Sequence, residues 1–163
     1  MLKQLISLFI TILLFDGCTG KHLIDEKNQE SAFIVIKTPN MRYADLGFIY
    51  KKPDLVKVEI YNLGQALLTI DINGMNVCMS TFECMSKHDF NAKILNQNYP
   101  DNLLENIFKA QPIFDKKGFK KTNNGFTQTI HKDNTYNITY SVTSTQQSFR
   151  DTINKILIKV KKQ

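Results

Sequence analysis

Leu55-Val56-Lys57-Val58-Glu59-Ile60-Tyr61, Asn62-Leu63-Gly64-Gln65, Ala66-Leu67-Leu68-Thr69-Ile70-Asp71-Ile72 and Asn73-Gly74-Met75-Asn76-Val77 follow one another through residues 55–77. Val56, Val58 and Ile60 share one parity, and Lys57 and Glu59 the other. Side chains alternate across a strand, so this is a strand with one dry and one wet face. Ala66, Leu68, Ile70 and Ile72 repeat the pattern up to Asn73-Gly74, a pair that tolerates the positive φ of a type I′ hairpin turn. The stretch predicts three antiparallel strands. Its first turn is unusual, because Leu63 stands among polar and glycine neighbours.

Upstream, Ala32–Ile36 and Met41–Tyr50 read as strands separated by Pro39-Asn40, with a bulge expected at Gly47. Downstream of Cys84 the period changes. Ser86 and Asp89 have the spacing of a capping box, and Phe90, Ile94 and Leu95 share one helical face. Pro100-Asp101 opens a second predicted helix with an apolar stripe of Leu103, Leu104, Ile107 and Phe108. Lys116–Asn124 reads as a basic loop and Ser144–Ser148 as another. Strands are expected at 126–131, 136–142 and 152–161, with a tight turn at Asp133-Asn134. The expected class is α+β: a curved antiparallel sheet of about eight strands with two short helices inserted mid-chain.

The chain has 163 residues, the length of one domain, and a formal charge of +6. The excess is lysine-rich and spread out. No nucleic-acid motif accompanies it, so nucleic acid is not an expected partner; solvated strand faces or a nearby anionic lipid surface account for it. Met1-Leu2-Lys3 and the apolar run Leu5–Phe15 form a secretory leader over residues 1–17. Gly17-Cys18 resembles the bacterial lipobox, which implies an acyl-modified Cys18. Asp16 departs from that motif, and plain secretion or an uncleaved anchor are the other outcomes. Residues 18–30 then read as a polar tether and residues 31–163 as the domain. With Cys18 lipidated, Cys78 and Cys84 remain. In an oxidising compartment they close a disulfide; the alternatives are free thiols or a metal set with His88, whose spacing fits no common zinc pattern.

Two helices of about ten residues are small for such a sheet. At about 25 cal/mol per Å², leaving a few hundred Å² of apolar surface wet costs several kcal/mol. Either the sheet closes onto the helices, or an apolar hollow remains for a hydrophobic guest. Met41, Met75, Met79, Met85 and Phe82 are adaptable residues of the kind that line a hollow, or they fill an ordinary core.

The order of elements resembles the LolA/LolB family of outer-membrane lipoprotein carriers and receptors, from about Phe33 to Lys161. Residues 58–68, with a leucine before glycine at a loop tip, resemble that family's protruding loop. Residues 99–112 resemble its lid helix, and residues 126–142 the strand pair after the lid. The resemblance implies an open half-barrel with a helical lid over an apolar cavity. The expected cavity lining is Met41, Leu68, Ile70 and Met75 from the first half of the chain. From the helices come Phe90, Ile94, Leu104, Ile107 and Phe108, and from the later strands Ile138 and Tyr140. The resemblance also implies a membrane-inserting role for Leu63, which otherwise folds back onto Tyr61 or the sheet. The implied partners are acyl chains or lipoprotein cargo, the membrane and a periplasmic LolA-like carrier. The implied location is the outer membrane, lipid-anchored and facing the periplasm.

No nucleophile–base pair, paired carboxylates or phosphate loop stands out, so no enzyme activity, cofactor or metal is expected. The alternative function is a structural or interaction lipoprotein built as an Ig-like or other β-sandwich, with no lipid cargo.

Overall fold

The computed structural model describes residues 28–80 and 82–163. The leader, the tether up to residue 27 and Cys18 lie outside the described residues.

Val56, Val58 and Ile60 are fully buried on β3 (Leu55–Asn62), as are Leu68 and Ile70 on β4 (Gln65–Asn73). The two strands pair antiparallel with Val58 opposite Ile70 and Ile60 opposite Leu68. Alternation therefore puts Val56, Val58, Ile60, Leu68, Ile70 and Ile72 on one buried face. Its turn is Leu63-Gly64, both at positive φ, +49° and +79°. The next turn is one residue later than the sequence suggests. Asn73 pairs with Asn76 at the start of β5 (Asn76–Met79), leaving Gly74-Met75 as the loop. Gly74 has φ +41° and Met75 does not enter the positive region, the order a type II′ turn uses.

The same alternation builds β1 (Gln29–Lys37), β2 (Arg42–Lys52), β6 (Phe82–Ser86) and, after the helices, β7 (Phe119–Thr122), β8 (Gly125–Lys132), β9 (Tyr136–Thr143), β10 (Gln146–Asp151) and β11 (Ile156–Lys162). All belong to one antiparallel sheet of eleven strands in the order β6-β5-β4-β3-β2-β1-β11-β10-β9-β8-β7. The described residues form one sheet, not the two packed sheets of a sandwich.

The expected eight strands are corrected to eleven. The extra ones escape the apolar alternation for different reasons. On β10 the buried side chains are Gln147, Phe149 and Asp151, so no apolar alternation marks it. The four residues of β7 are all exposed, and β6 is short. The last strand begins at Ile156, not Thr152, because Thr152–Lys155 form the β10–β11 turn. The half-barrel curl is also corrected: the sheet is open and is not closed or strongly curled. Its inner face is satisfied by the helical segment instead.

That segment contains α1 (Lys87–Ile94) and α2 (Leu103–Phe108) and joins β6 to β7, the two opposite edges of the sheet. It must therefore cross the inner face. α1 packs on β5 and β6, and α2 reaches β10. Ser86 caps α1 as expected, accepting from the Asp89 amide at 3.0 Å and donating to its carboxylate at 2.6 Å. Phe90, Ile94, Leu103, Leu104, Ile107 and Phe108 are all buried. Polar clamps fix both ends. Glu105 takes Lys87 at 2.7 Å and Lys109 at 2.6 Å, and Lys109 also donates to the Pro53 carbonyl. On the other side Tyr99 donates to Asp151, Asn96 to Asn154, and Gln128 bonds both backbone groups of Ile113.

Candidate functional site

Rows of cross-strand neighbours organise the inner face. One row is Ile36, Ile158, Phe149, Tyr140 and Gln128; the next is Ile34, Val160, Gln147, Val142 and Phe126. Gln128 is fully buried and has a reason to be: its amide bonds the backbone of Ile113 and the Lys117 carbonyl. Gln147 does not. It is 0 % exposed between Val142 and Val160, and neither amide atom has a protein partner. The hydroxyl of fully buried Tyr140, diagonally across on β9, has none either. Burial pushes that phenol well above its usual range, so it stays a neutral donor and acceptor. An unpartnered buried polar group costs about 1–3 kcal/mol. Three such atoms on one patch of the inner face form a polar spot with its hydrogen-bonding capacity unused. Sequence reading placed Tyr140 in the lining and missed Gln147, whose only signal was its inward parity opposite Val142.

Of the expected lining, Leu68, Ile70, Phe90, Ile94, Leu104, Ile107, Phe108, Ile138 and Tyr140 are brought together in the buried cluster between helices and sheet, with Met41 packed partly buried against it. Met75 is not brought there. The one-residue shift of the turn puts it at the hairpin tip, 81 % exposed.

Leu63 is 98 % exposed and does not fold back onto Tyr61. Tyr61 is engaged elsewhere, donating to Glu59 at 2.9 Å and meeting the Phe48 ring edge-on at 5.8 Å. Glu59 also takes Lys57 at 2.7 Å. Burial would raise that carboxyl, but the bonds from Lys57 and Tyr61 outweigh it and hold it below the ordinary range. Beside this group a shallow apolar hollow of about 350 Å³ is lined by Ala32, Leu46, Gly47, Phe48 and Tyr61. Leu46 and Leu67 are about half exposed, at 54 % and 47 %.

Cys78 and Cys84 form a disulfide that ties β5 to the edge strand β6. Among the described residues no group of three or more His, Cys, Asp or Glu could hold a metal ion. His88 lies instead 3.7 Å from Asp101, and His131 pairs with Asp133 at 2.7 Å. No described helix is long and apolar enough to cross a membrane.

No protein-family model matches the chain, and no curated protein matches it.

Proposed function

We propose that the protein is an envelope lipoprotein of the LolA/LolB kind, which takes up an acyl chain or acylated protein between its sheet and helices and helps deliver it to the outer membrane. The observation that carries this reading is the buried, unpartnered group of Tyr140 and Gln147 on a largely apolar inner face, where the other buried polar groups Gln128 and Asp151 have partners. An acylated cargo has both parts such a surface would receive: a hydrocarbon tail for the apolar rows and an ester or amide linkage for the hydroxyl and amide. In the closed form the lining side chains pack on one another. Uptake therefore requires the segment carrying α1 and α2 to lift, exchanging its apolar contacts for those of the guest. No covalent step is needed; cargo moves toward the site that binds it more tightly. Leu63 is the group placed to touch the bilayer, with Cys18 as the anchor.

The buried lining also favours a second reading, an interaction lipoprotein whose core is permanently filled. Titrating the chain from residue 18, carrying Cys18→Ser, with a fluorescent acyl probe separates the two. The first reading expects saturable binding, weakened about tenfold by Tyr140→Phe, the loss of about one hydrogen bond. That substitution should leave unliganded stability unchanged or slightly higher, because the hydroxyl has no protein partner to lose. Absence of saturable probe binding supports the second reading.

A further inference from the structure

Arg42, Lys37, Leu157 and Arg150 are successive cross-strand neighbours on β2, β1, β11 and β10, on the face opposite the helices. Like charges directly opposite each other are destabilising, yet Lys37 and Arg42 are such a pair. Together with Lys155 in the β10–β11 turn they line a groove of about 430 Å³ that also includes Thr38, Pro39 and Thr152. All four cations are exposed, and none forms an ion pair with a described residue. The groove's one carboxylate, Asp151, is 1 % exposed and is occupied by Tyr99, Asn154 and the backbone amides of Asn137 and Ile153. Lys159 and Lys161 extend the same face along β11, and no Asp or Glu shares the outward parity on β1, β2, β9, β10 or β11. This concentration of positive charge favours an anion.

The second observation is what stands beside it. Asn62 bonds the Asp45 carboxylate at 2.8 Å, which fixes the Leu63 turn next to β2. Arg42 is three residues along β2 from Asp45, roughly 10 Å at 3.3 Å per residue. Asp45, beside the tip, is held by Asn62 and by the Leu46 amide. One end of the sheet therefore presents four unpaired cations and a leucine that is 98 % exposed. A phosphate or a nucleic acid would call for the cations alone; a bilayer calls for both.

We propose that this end docks on an anionic membrane, with the groove holding a phosphate-bearing lipid headgroup while Leu63 enters the interfacial layer. This rests on the delivery reading only in giving Leu63 its role. The test below contains no cargo, so vesicle docking and acyl binding can fail independently.

The described residues hold the eleven-stranded sheet and its covering segment, so the chain from residue 18 with Cys18→Ser keeps them and removes the proposed acylation site. It is floated with phosphatidylcholine vesicles with and without phosphatidylglycerol. The expected result is binding only with phosphatidylglycerol, lost at high salt. At about 1 kcal/mol per cation near a charged surface, Lys37→Gln, Arg42→Gln, Arg150→Gln and Lys155→Gln together should weaken binding at least about a hundredfold. Arg42→Gln with Arg150→Gln is the milder variant, and circular dichroism checks that both fold. The chain contains no tryptophan, so Leu63→Trp reports without background. Its emission should shift to the blue on phosphatidylglycerol vesicles and not with inorganic phosphate. Equal binding to neutral vesicles, no blue shift, or tight binding of an RNA oligomer lost in the same variants without vesicle binding would each overturn the proposal.

Discussion

Tyr99, between the two helices, donates its hydroxyl to the carboxylate of Asp151 at the end of β10, 52 residues away in sequence. This bond fastens the segment that crosses the sheet to the half of the sheet it reaches last. The tyrosine ring is sandwiched among Phe114, Tyr136 and Phe149, with the Phe149 contact edge-on at 5.9 Å. Burial, then the adjacent Asp151, pushes the Tyr99 phenol far above its usual range. Burial would also raise the Asp151 carboxyl, but bonds from Tyr99, Asn154 and backbone amides outweigh it, and its value is lowered.

Tyr99→Phe keeps the ring and removes the donor. Hydrogen bonds to charged groups are worth about 1.5–3 kcal/mol, so the variant should lose about that much in urea unfolding. A carboxyl lowered in the folded state contributes fully above its unfolded value, about pH 4, and loses that contribution as pH falls through the lower folded value. The wild type should therefore weaken in acid below about pH 4, and Asp151→Asn should flatten that part of the profile. An unchanged profile in Asp151→Asn would show that other carboxylates carry the acid response.

Gly47 on β2 leaves no room for a side chain against β3. A Cβ there would lie 2.0 Å from the Glu59 carbonyl oxygen and 3.1 Å from Ile34 Cδ1. The first contact is with backbone, which cannot rotate away. Gly47→Ala should cost about 3 kcal/mol or more, the upper end for overpacking, read as a lowered unfolding midpoint. It should also disturb the Phe48–Tyr61 contact on the outer face.

Leu63 has the unfavourable combination of a branched apolar side chain, positive φ and full exposure. Leu63→Gly should raise stability by up to about 1 kcal/mol, since glycine adopts this conformation freely. Leu63→Glu should fold normally and fail to deliver lipoprotein in cells. A stability gain accompanied by lost delivery is the pattern expected of a residue kept for function; normal delivery by Leu63→Glu would remove the loop from the mechanism.

The Cys78–Cys84 bridge closes a short loop at the edge of the sheet, where among the described strands β6 pairs with β5 alone. Chain-entropy arguments give about 2 kcal/mol for a loop this small. Replacing both cysteines with serine should lower stability by about that amount. Hydrogen exchange should speed up first in β6, while the β9–β10 amides stay protected.

Sequence alone was enough where one face of an element is uniformly apolar. Alternation at Val56, Val58 and Ile60 specified the central hairpin, and Ser86 with Asp89 marked where α1 begins. Leu63 was conspicuous because a leucine at a glycine turn has no local core to enter. β10 was hidden because its inward positions Gln147 and Asp151 are polar, and β7 because all of it is exposed. Their pairing partners lie on other strands, and alternation within one segment cannot report them.

Local features alone follow from the order of residues: the inward parity of the apolar strands and the start of α1 at the Ser86 cap. Strand register across the full sheet makes β6 and β7 opposite edges, so that the helical segment has to bridge the face between them. It also decides that Arg42, Lys37 and Arg150 meet in one groove and that Gln147 is buried without a protein partner. The physical reason is the same in each case. Charge neighbours and hydrogen-bond partners across a sheet are set by register between strands far apart in the chain, and a single strand's alternation carries no information about its neighbour's.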